Sequence, residues 1–273
     1  MHVALGPKGN DLVLNAKLAH VSAEEAYTPL TTPVFGSGVV YDCPNHVLMQ
    51  QKKFVKYGMT TEAFRSYVPL IVEEVMNYFE TSPNFGKSKL RGSCDAMATS
   101  PQITIFTASR TLQGPEVRKY FDASFAKLYK DLDNGFTPVN FLFPYLPLPA
   151  NRKRDFAQRK MASIYRDIIH KRKAMKEEDH PPDMIWNLMN QQYKDGRPTT
   201  DTEVAHMMIA LLMAGQHTSM ATSAWTILHL GAQPEYMYLS PQANMLTIIV
   251  RSYTKNKNES SATNPSNTTT SKT

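Results

Sequence analysis

Cysteine is nearly absent from this chain. Cys43 and Cys94 are the only two in 273 residues. They lie far apart, with no CxxC or Cys/His spacing, so neither a disulfide framework nor a zinc site is signalled, and a reducing compartment is expected. Long apolar runs are missing too: nothing approaches the ~20 residues that span a bilayer. The start, MHVALGPKGND, lacks the basic-then-apolar order of a signal peptide, so no membrane anchor is expected. The charge excess is modest at +6. Basic residues gather between Arg152 and Lys176 instead of interleaving with stacking aromatics, which argues against a nucleic-acid binder. What is present is 42% apolar content, enough for a real core in one large or two modest domains.

Residues 1–43 read as irregular or strand-like: LGPKGND as a turn, DLVLNAKLAHV as short apolar alternation. Ser22 and Glu25 form a capping box for a short helix, which Pro29 and Pro33 are expected to stop. Helices then dominate. Pro44 to Tyr57 has proline in its first turn, Thr60 to Phe79 has apolar residues at helical spacing, and Ile103 to Thr111 is a further helix. Pro115 to Leu132 reads as one helix with Phe121, Phe125, Leu128 and Leu132 on a single stripe. In GFTPVNFLFPYLPLPAN, Pro138, Pro144, Pro147 and Pro149 forbid a regular helix although the composition is strongly apolar. The next segment, NRKRDFAQRKMASIYRDIIHKRKAMKEED, is an amphipathic helix with a basic face. Two readings stay open for this pair. One is a buried loop with an ordinary solvated helix; the other is an interfacial element whose aromatics dip into lipid while Lys and Arg meet headgroups.

Asp195-Gly196-Arg197-Pro198 is a turn, and Thr200 with Glu203 makes a second capping box. It opens a long helix from Asp201 to about Leu230, closed by Gly231 and Pro234 and expected to be central. Past Pro234 the composition changes. Residues 251–273 hold five Ser, six Thr and four Asn, a composition that cannot bury a core and predicts disorder. Asn258-Glu-Ser and Asn267-Thr-Thr match the glycosylation pattern, but without a secretory signal chance explains them.

The long helix interrupts its apolar surface with Gly215, Gln216, His217 and Thr218. Ala210, Ala214, Thr218 and Thr222, spaced by four, form a strip of small side chains beside Gly215 and Ala221. Such a strip admits either another helix backbone or a planar ligand. A shared metal is excluded for His206 and His217, because eleven positions separate them by ~16 Å along the axis. His217 alone reads as a hydrogen-bonded core histidine or as a chemical group.

Ala214-Gly215-Gln216-His217-Thr218-Ser219 resembles the long central helix of the cytochrome P-450 superfamily. The His-Thr form is similar to that of the sterol 14α-demethylases. So is a second motif, Tyr27-Thr-Pro-Leu30-Thr-Thr-Pro-Val-Phe35-Gly36-Ser-Gly38-Val-Val-Tyr41-Asp42-Cys43. QKKFVKYGMTTEAFRSYVPLIVEE, PQITIFTASRTLQG, DLDNGFTPVNF and LPLPANRKRDFAQRK read like fungal members, so the likeness runs to about Leu230. It implies a mainly α, partial cytochrome P-450 fold with a long central helix at about 201–230 and little sheet. It also implies haem as cofactor, oxidative removal of the sterol 14α-methyl group in ergosterol biosynthesis, an NADPH-cytochrome reductase as electron donor, and the endoplasmic reticulum membrane surface as location. By the same resemblance Tyr27, Tyr41 and Lys52 bind the haem propionates, and Ala214 and Gly215 lie against the haem. Phe35, Val40, Phe136, Pro138 and Met213, with Ala214, line the sterol cavity. His217 pairs with Asp133 in a proton relay that feeds Thr218.

The family's thiolate ligand follows a Glu-x-x-Arg pair in a Gly-rich loop beyond the central helix, and neither is present here. Cys43 and Cys94 belong to other positions and are not axial ligands. The expectation is therefore a cytochrome P-450 domain over 1–234 that is incomplete and incompetent as this chain, followed by an unrelated tail at 235–273. The alternative is a non-catalytic helical fragment with at most weak lipid or membrane binding.

Overall fold

The computed structural model describes residues 5–17, 20–82, 85, 95–121 and 123–233. Cys94, Pro234 and the tail at 235–273 lie outside the described residues. Among the described residues there is no β-strand, only an isolated antiparallel bridge between Gln192 and Pro198. The helices are α1 (Gly6–Asn15), α2 (Glu24–Phe35), α3 (Asn45–Tyr57), α4 (Thr61–Thr81), α5 (Ala96–Ala108), α6 (Pro115–Tyr120), α7 (Ala123–Asp133), α8 (Pro138–Leu142), α9 (Pro149–Lys173), α10 (Met184–Met189) and α11 (Asp201–Ala232). A π-turn at Ser109–Gln113 and a 3-10 turn at Glu177–Asp179 complete the regular structure.

Where irregular or strand-like chain with one short helix is expected over residues 1–43, the described residues form two helices, Gly6–Asn15 and Glu24–Phe35. Pro7 lies in the first turn of α1, where its missing N–H costs nothing. Pro29 and Pro33 sit inside α2 and do not end it. A threonine hydroxyl satisfies a carbonyl of that helix, Thr31 donating to Tyr27 at 2.9 Å. Its buried Thr31 and Val34 lie on an element that packs on α8 and α9, so tertiary packing overrides the local preference. Ser22 accepts from the Glu24 N–H at 3.2 Å, while Ala23 takes the cap position. α3 and α4 fall where expected, within two residues. α5 starts well before Ile103, and the expected single helix 115–132 breaks at Phe121, whose ψ of 74° is not helical. Phe121, Phe125 and Leu132 of the stripe are nevertheless buried.

Pro138 opens a short helix instead of forbidding one, with the Thr137 hydroxyl accepting from the Asn140 N–H at 3.2 Å. The following turn is not a buried loop. Val139, Phe141, Leu142, Phe143, Tyr145, Leu146 and Leu148 are all exposed, Leu142 to 73% and Tyr145 to 72%. Underneath, buried Asn151 and Arg154 hold carbonyls of the turn, and buried Asn140 holds that of Gly135 just before it. Asn140 donates to Gly135 at 2.9 Å and to Asn151 Oδ1 at 2.8 Å, Asn151 donates to Leu146 at 2.9 Å, and Arg154 donates to Pro144 at 2.9 Å.

α9 carries the basic face but also buries arginines. Arg154 and Arg172 are almost wholly enclosed beside the apolar Ala157, Met161, Tyr165, Ile168 and Ile169. Arg172 is offset by two carboxylates, Asp183 and Glu116. α11 runs unbroken to Ala232, through the Gly231 expected to end it. Its capping box forms as read: Glu203 N–H donates to the Thr200 hydroxyl at 3.2 Å, and Thr200 N–H to Glu203 at 2.8 Å.

The chain divides into two compact units, Met1–Val68 with Ser109–Ala214, and Pro69–Ala108 with Gly215–Thr273. In the first, α7 and α2 pack on α9, and α10 packs on α3. In the second, Tyr78 donates to Gln102 at 3.0 Å and packs near Phe106, while buried Gln216 donates to the Pro101 carbonyl at 2.8 Å.

Candidate functional site

Between α2 and α3 the loop 36–43 is fixed from several sides. Asp42 accepts from the Gly38 N–H at 2.8 Å and from the Thr32 hydroxyl at 3.0 Å. Thr28 donates to the Tyr41 carbonyl at 2.6 Å, and Gln51 of α3 to the Gly38 carbonyl at 2.9 Å. From α11, His206 Nδ1 meets the Ser37 carbonyl at 2.8 Å. A carbonyl only accepts, so Nδ1 carries the proton. Gly36, at φ 102°, packs so closely on that imidazole that a Cβ would overlap it. Val40 is held at φ 56°, a left-handed conformation that costs a β-branched residue about 1–3 kcal/mol. The surrounding hydrogen bonds offset that strain and leave the loop preorganised.

Several residues singled out from sequence come together here. Tyr27 and Tyr41 stack, with ring centroids 5.1 Å apart and planes 22° apart. Phe35 and Phe136 meet at 5.8 Å. Lys52 is exposed on α3, Pro138 is exposed at the start of α8, and Met213 is buried on α11. Asp133 is the last residue of α7 and belongs to the first unit, whereas His217 and Thr218 belong to the second.

The later part of the small-residue strip on α11, from Gly215 onward, belongs to the second unit. Thr218 and Thr222 are exposed, and a Cβ added at Gly215 would meet nothing within 4 Å. Among the described residues, then, no helix backbone closes over Gly215. The Thr218 hydroxyl lies 3.4 Å from the Gly215 carbonyl of its own helix.

Within each unit taken separately, the residues present suit part of a haem's chemistry. Two phenols and an ammonium are the donor chemistry that propionates require, and a strip without bulk suits a flat ring. Cys43 does not fit an iron ligand. Burial pushes its thiol up to about 11, helped by Glu24, Asp42 and Glu203, so it stays protonated, and its Sγ points at the Val40 carbonyl and Gln51. No cluster of three metal-ligating side chains occurs among the described residues.

Sequence reasoning missed the groups that brace the loop. In sequence His206 shows only a spacing that excludes a shared metal with His217, Glu203 only its capping box with Thr200, and Gln51 nothing beyond its place in a helix. Gln51 donates to Tyr193 Oη at 3.1 Å, Tyr193 reaches Glu203 at 3.1 Å, and Arg197 grips both Glu203 oxygens. Burial opposes the Glu203 charge, but the Arg197 and Thr200 hydrogen bonds outweigh it and hold the carboxyl below its usual range. The signal available was the glycine pair of FGSG, since glycine is the residue that lets a backbone turn at positive φ or approach another group closely.

The fold and this arrangement define a class. The chain belongs to the cytochrome P450 family, whose model matches residues 1–239, and the cofactor of that family is haem. It is 57% identical over 247 residues to the sterol 14-alpha demethylase of Aspergillus fumigatus, covering 89% of this chain and 48% of that protein. It is also 57% identical over 235 residues to the lanosterol 14-alpha demethylase of Schizosaccharomyces pombe, covering 86% of this chain and 47% of that one. The chain thus spans about half the length of the curated relatives it matches. Among solved structures, the retinoic acid-bound cyanobacterial CYP120A1 superposes with a TM-score of 0.65 at 18% identity, over 78% of this chain and 46% of that one, a likeness of fold.

Proposed function

We propose that the chain serves sterol 14α-demethylation, the oxidative removal of the 14α-methyl group of a sterol in ergosterol biosynthesis. The observation that carries this is the 57% identity to sterol 14-alpha demethylases over most of the chain. Haem, when bound, supplies the activation of dioxygen. Tyr27 and Tyr41 would hold its propionates with phenolic hydrogen bonds, Lys52 would add a compensating positive charge, and Ala214 and Gly215 would leave room for the ring. Phe35, Val40, Phe136, Pro138 and Met213 line the sterol cavity and exclude water from it. Thr218 would hold a proton at its hydroxyl, and His217 and Asp133 would be the groups that resupply it. Cys43 takes no part as a ligand. Residues 1–234 act as the cytochrome P450 domain, with 235–273 as a separate tail.

Electrons come from an NADPH-cytochrome reductase. The protein works at the endoplasmic reticulum membrane surface, and the exposed aromatics of 139–148 beside the basic α9 support that contact. No helix among the described residues is long and apolar enough to cross a membrane. The same loop supports a second reading, a non-catalytic helical protein with weak lipid binding.

Equilibrium binding separates the two. The chain is titrated with a 14α-methyl sterol and with its 14-demethylated counterpart. A preference of roughly tenfold for the methylated sterol is expected, the discrimination one methyl in a fitted pocket gives. Equal affinities would overturn the demethylase reading and leave the lipid binder.

A further inference from the structure

We infer that His206 is a positioning residue for the loop 36–43: its imidazole, on the buried start of α11, sets where Val40 and Tyr41 stand. Two independent contacts carry this. The Nδ1–H donates to the Ser37 carbonyl at 2.8 Å, and the ring fills the space that Gly36 leaves open by having no side chain. The hydrogen bond fixes the distance between helix and loop, and the ring-to-glycine contact fixes the angle at which the chain leaves α2. Gly36 follows the last residue of that helix and turns at φ 102°, so any tilt of the ring is passed directly into the next residues.

His206 hydrogen-bonds this loop directly from α11, whereas Glu203 of the same helix braces it through Tyr193 and Gln51. The other bonds come from α2, from α3, and from Asp42 within the loop. Met213 and Ala214 lie two turns further along the same helix. His206 therefore keeps one wall, Val40 and Tyr41, in register with the helix that carries the other. That the two walls enclose a sterol rests on the function proposed above; that His206 fixes the loop does not.

The test uses this chain in four forms: unchanged, His206→Leu, His206→Asn and Gly36→Ala. Amide hydrogen exchange is followed in peptides covering 36–43 and, as a control for the rest of the fold, in peptides covering α9. His206→Leu removes the donor, and exchange in 36–43 is expected to quicken about tenfold, the effect of losing one buried hydrogen bond, with α9 unchanged. His206→Asn, whose side-chain amide can donate to the same carbonyl, is expected to restore most of the protection. Gly36→Ala, which forces the ring aside with the histidine still present, is expected to behave like His206→Leu. Unchanged exchange in 36–43 for His206→Leu would overturn the inference, as would an Asn form no better protected than Leu. Exchange rising equally in α9 would also overturn it, since His206 would then be a general core residue.

Sterol affinity measured on the same four proteins keeps the two proposals apart. If the unchanged chain binds the 14α-methyl sterol, affinity is expected to fall and recover in step with the exchange rates. If it binds no sterol yet the exchange pattern holds, the demethylase reading fails and the positioning role stands.

Discussion

Arg172 and Asp183 meet through two parallel hydrogen bonds, 2.7 Å from Nη1 to Oδ1 and 2.6 Å from Nη2 to Oδ2, with the guanidinium fully buried. Glu116 takes the remaining edge, at 3.1 Å from Nε and 2.7 Å from Nη2. Burial raises the Asp183 carboxyl more than Arg172 lowers it. At Glu116, nearer solvent, the Arg172 hydrogen bonds win and the carboxyl sits below its usual range. One cation thus supports two anions and ties α6, α9 and the start of α10 together.

Removing that cation leaves buried charge uncompensated. Arg172→Met is expected to destabilise the first unit by about 3–5 kcal/mol. The midpoint of urea unfolding, followed by far-ultraviolet circular dichroism, measures it; a shift no larger than that of a surface substitution would contradict the role assigned to Arg172.

His206 makes stability depend on pH. Burial depresses its pKa below the ordinary 6.5, with Arg166 pushing the same way and the Ser37 carbonyl and Asp42 opposing. A buried group with a depressed pKa takes its proton later than the unfolded chain does. The contribution is complete above 6.5 and is lost as pH falls from there to the folded value. Denaturation midpoints at pH 7.5 and 5.5, values chosen to bracket about 6.5, are expected to differ less in His206→Asn than in the unchanged protein.

The capping box at the head of α11 has its own cost of removal. Thr200→Ala takes away the acceptor for the Glu203 N–H and one of the groups that depress the Glu203 carboxyl. About 1 kcal/mol is expected, read as a lower thermal midpoint. Because Glu203 is held below its usual range, its contribution is present at neutral pH and lost in acid, so Glu203→Gln should show less acid sensitivity.

Haem affinity reports the phenols. Tyr27→Phe and Tyr41→Phe are each expected to weaken haem binding by about 1.5–3 kcal/mol, the worth of a hydrogen bond to a charged group. Absorbance titration at the haem band measures this, and a double variant no weaker than either single one would show that only one phenol reaches a propionate.

Much of this architecture could be read before any coordinates. Thr200 and Glu203 announced their helix, Gly196 its turn and Pro44 the start of α3, because each of those signals is local. The misreadings have different causes: Pro7 and Pro138 open helices by their own local chemistry, whereas α2 is a matter of packing. Pro29 and Pro33 read as stops because proline removes a local hydrogen bond, yet α2 is held by packing against α8 and α9, far along the chain. The site divides in the same way. Tyr27, Tyr41, Phe35 and Phe136 were found through a family likeness and do meet in pairs. His206, Gln51 and Arg172 were not, because partners 169, 13 and 56 positions away leave no pattern in a linear sequence.

The exposed loop 139–148 offers a further test. Replacing Leu142 and Phe143 together by Asp is expected to lower partition into anionic vesicles by at least tenfold, since each buried apolar side chain contributes about 1.5–3 kcal/mol. Flotation with vesicles measures it, and unchanged partition would move the membrane contact elsewhere.

The carbonyls in and just before that loop, held by Asn140, Asn151 and Arg154, give it the character of a wedge cut in advance. A floppy hydrophobic segment must freeze as it enters a bilayer and loses much of its gain in doing so. Here the freezing is completed when the chain folds, so lipid would meet a surface already shaped, able to dock and leave without any change in the protein behind it.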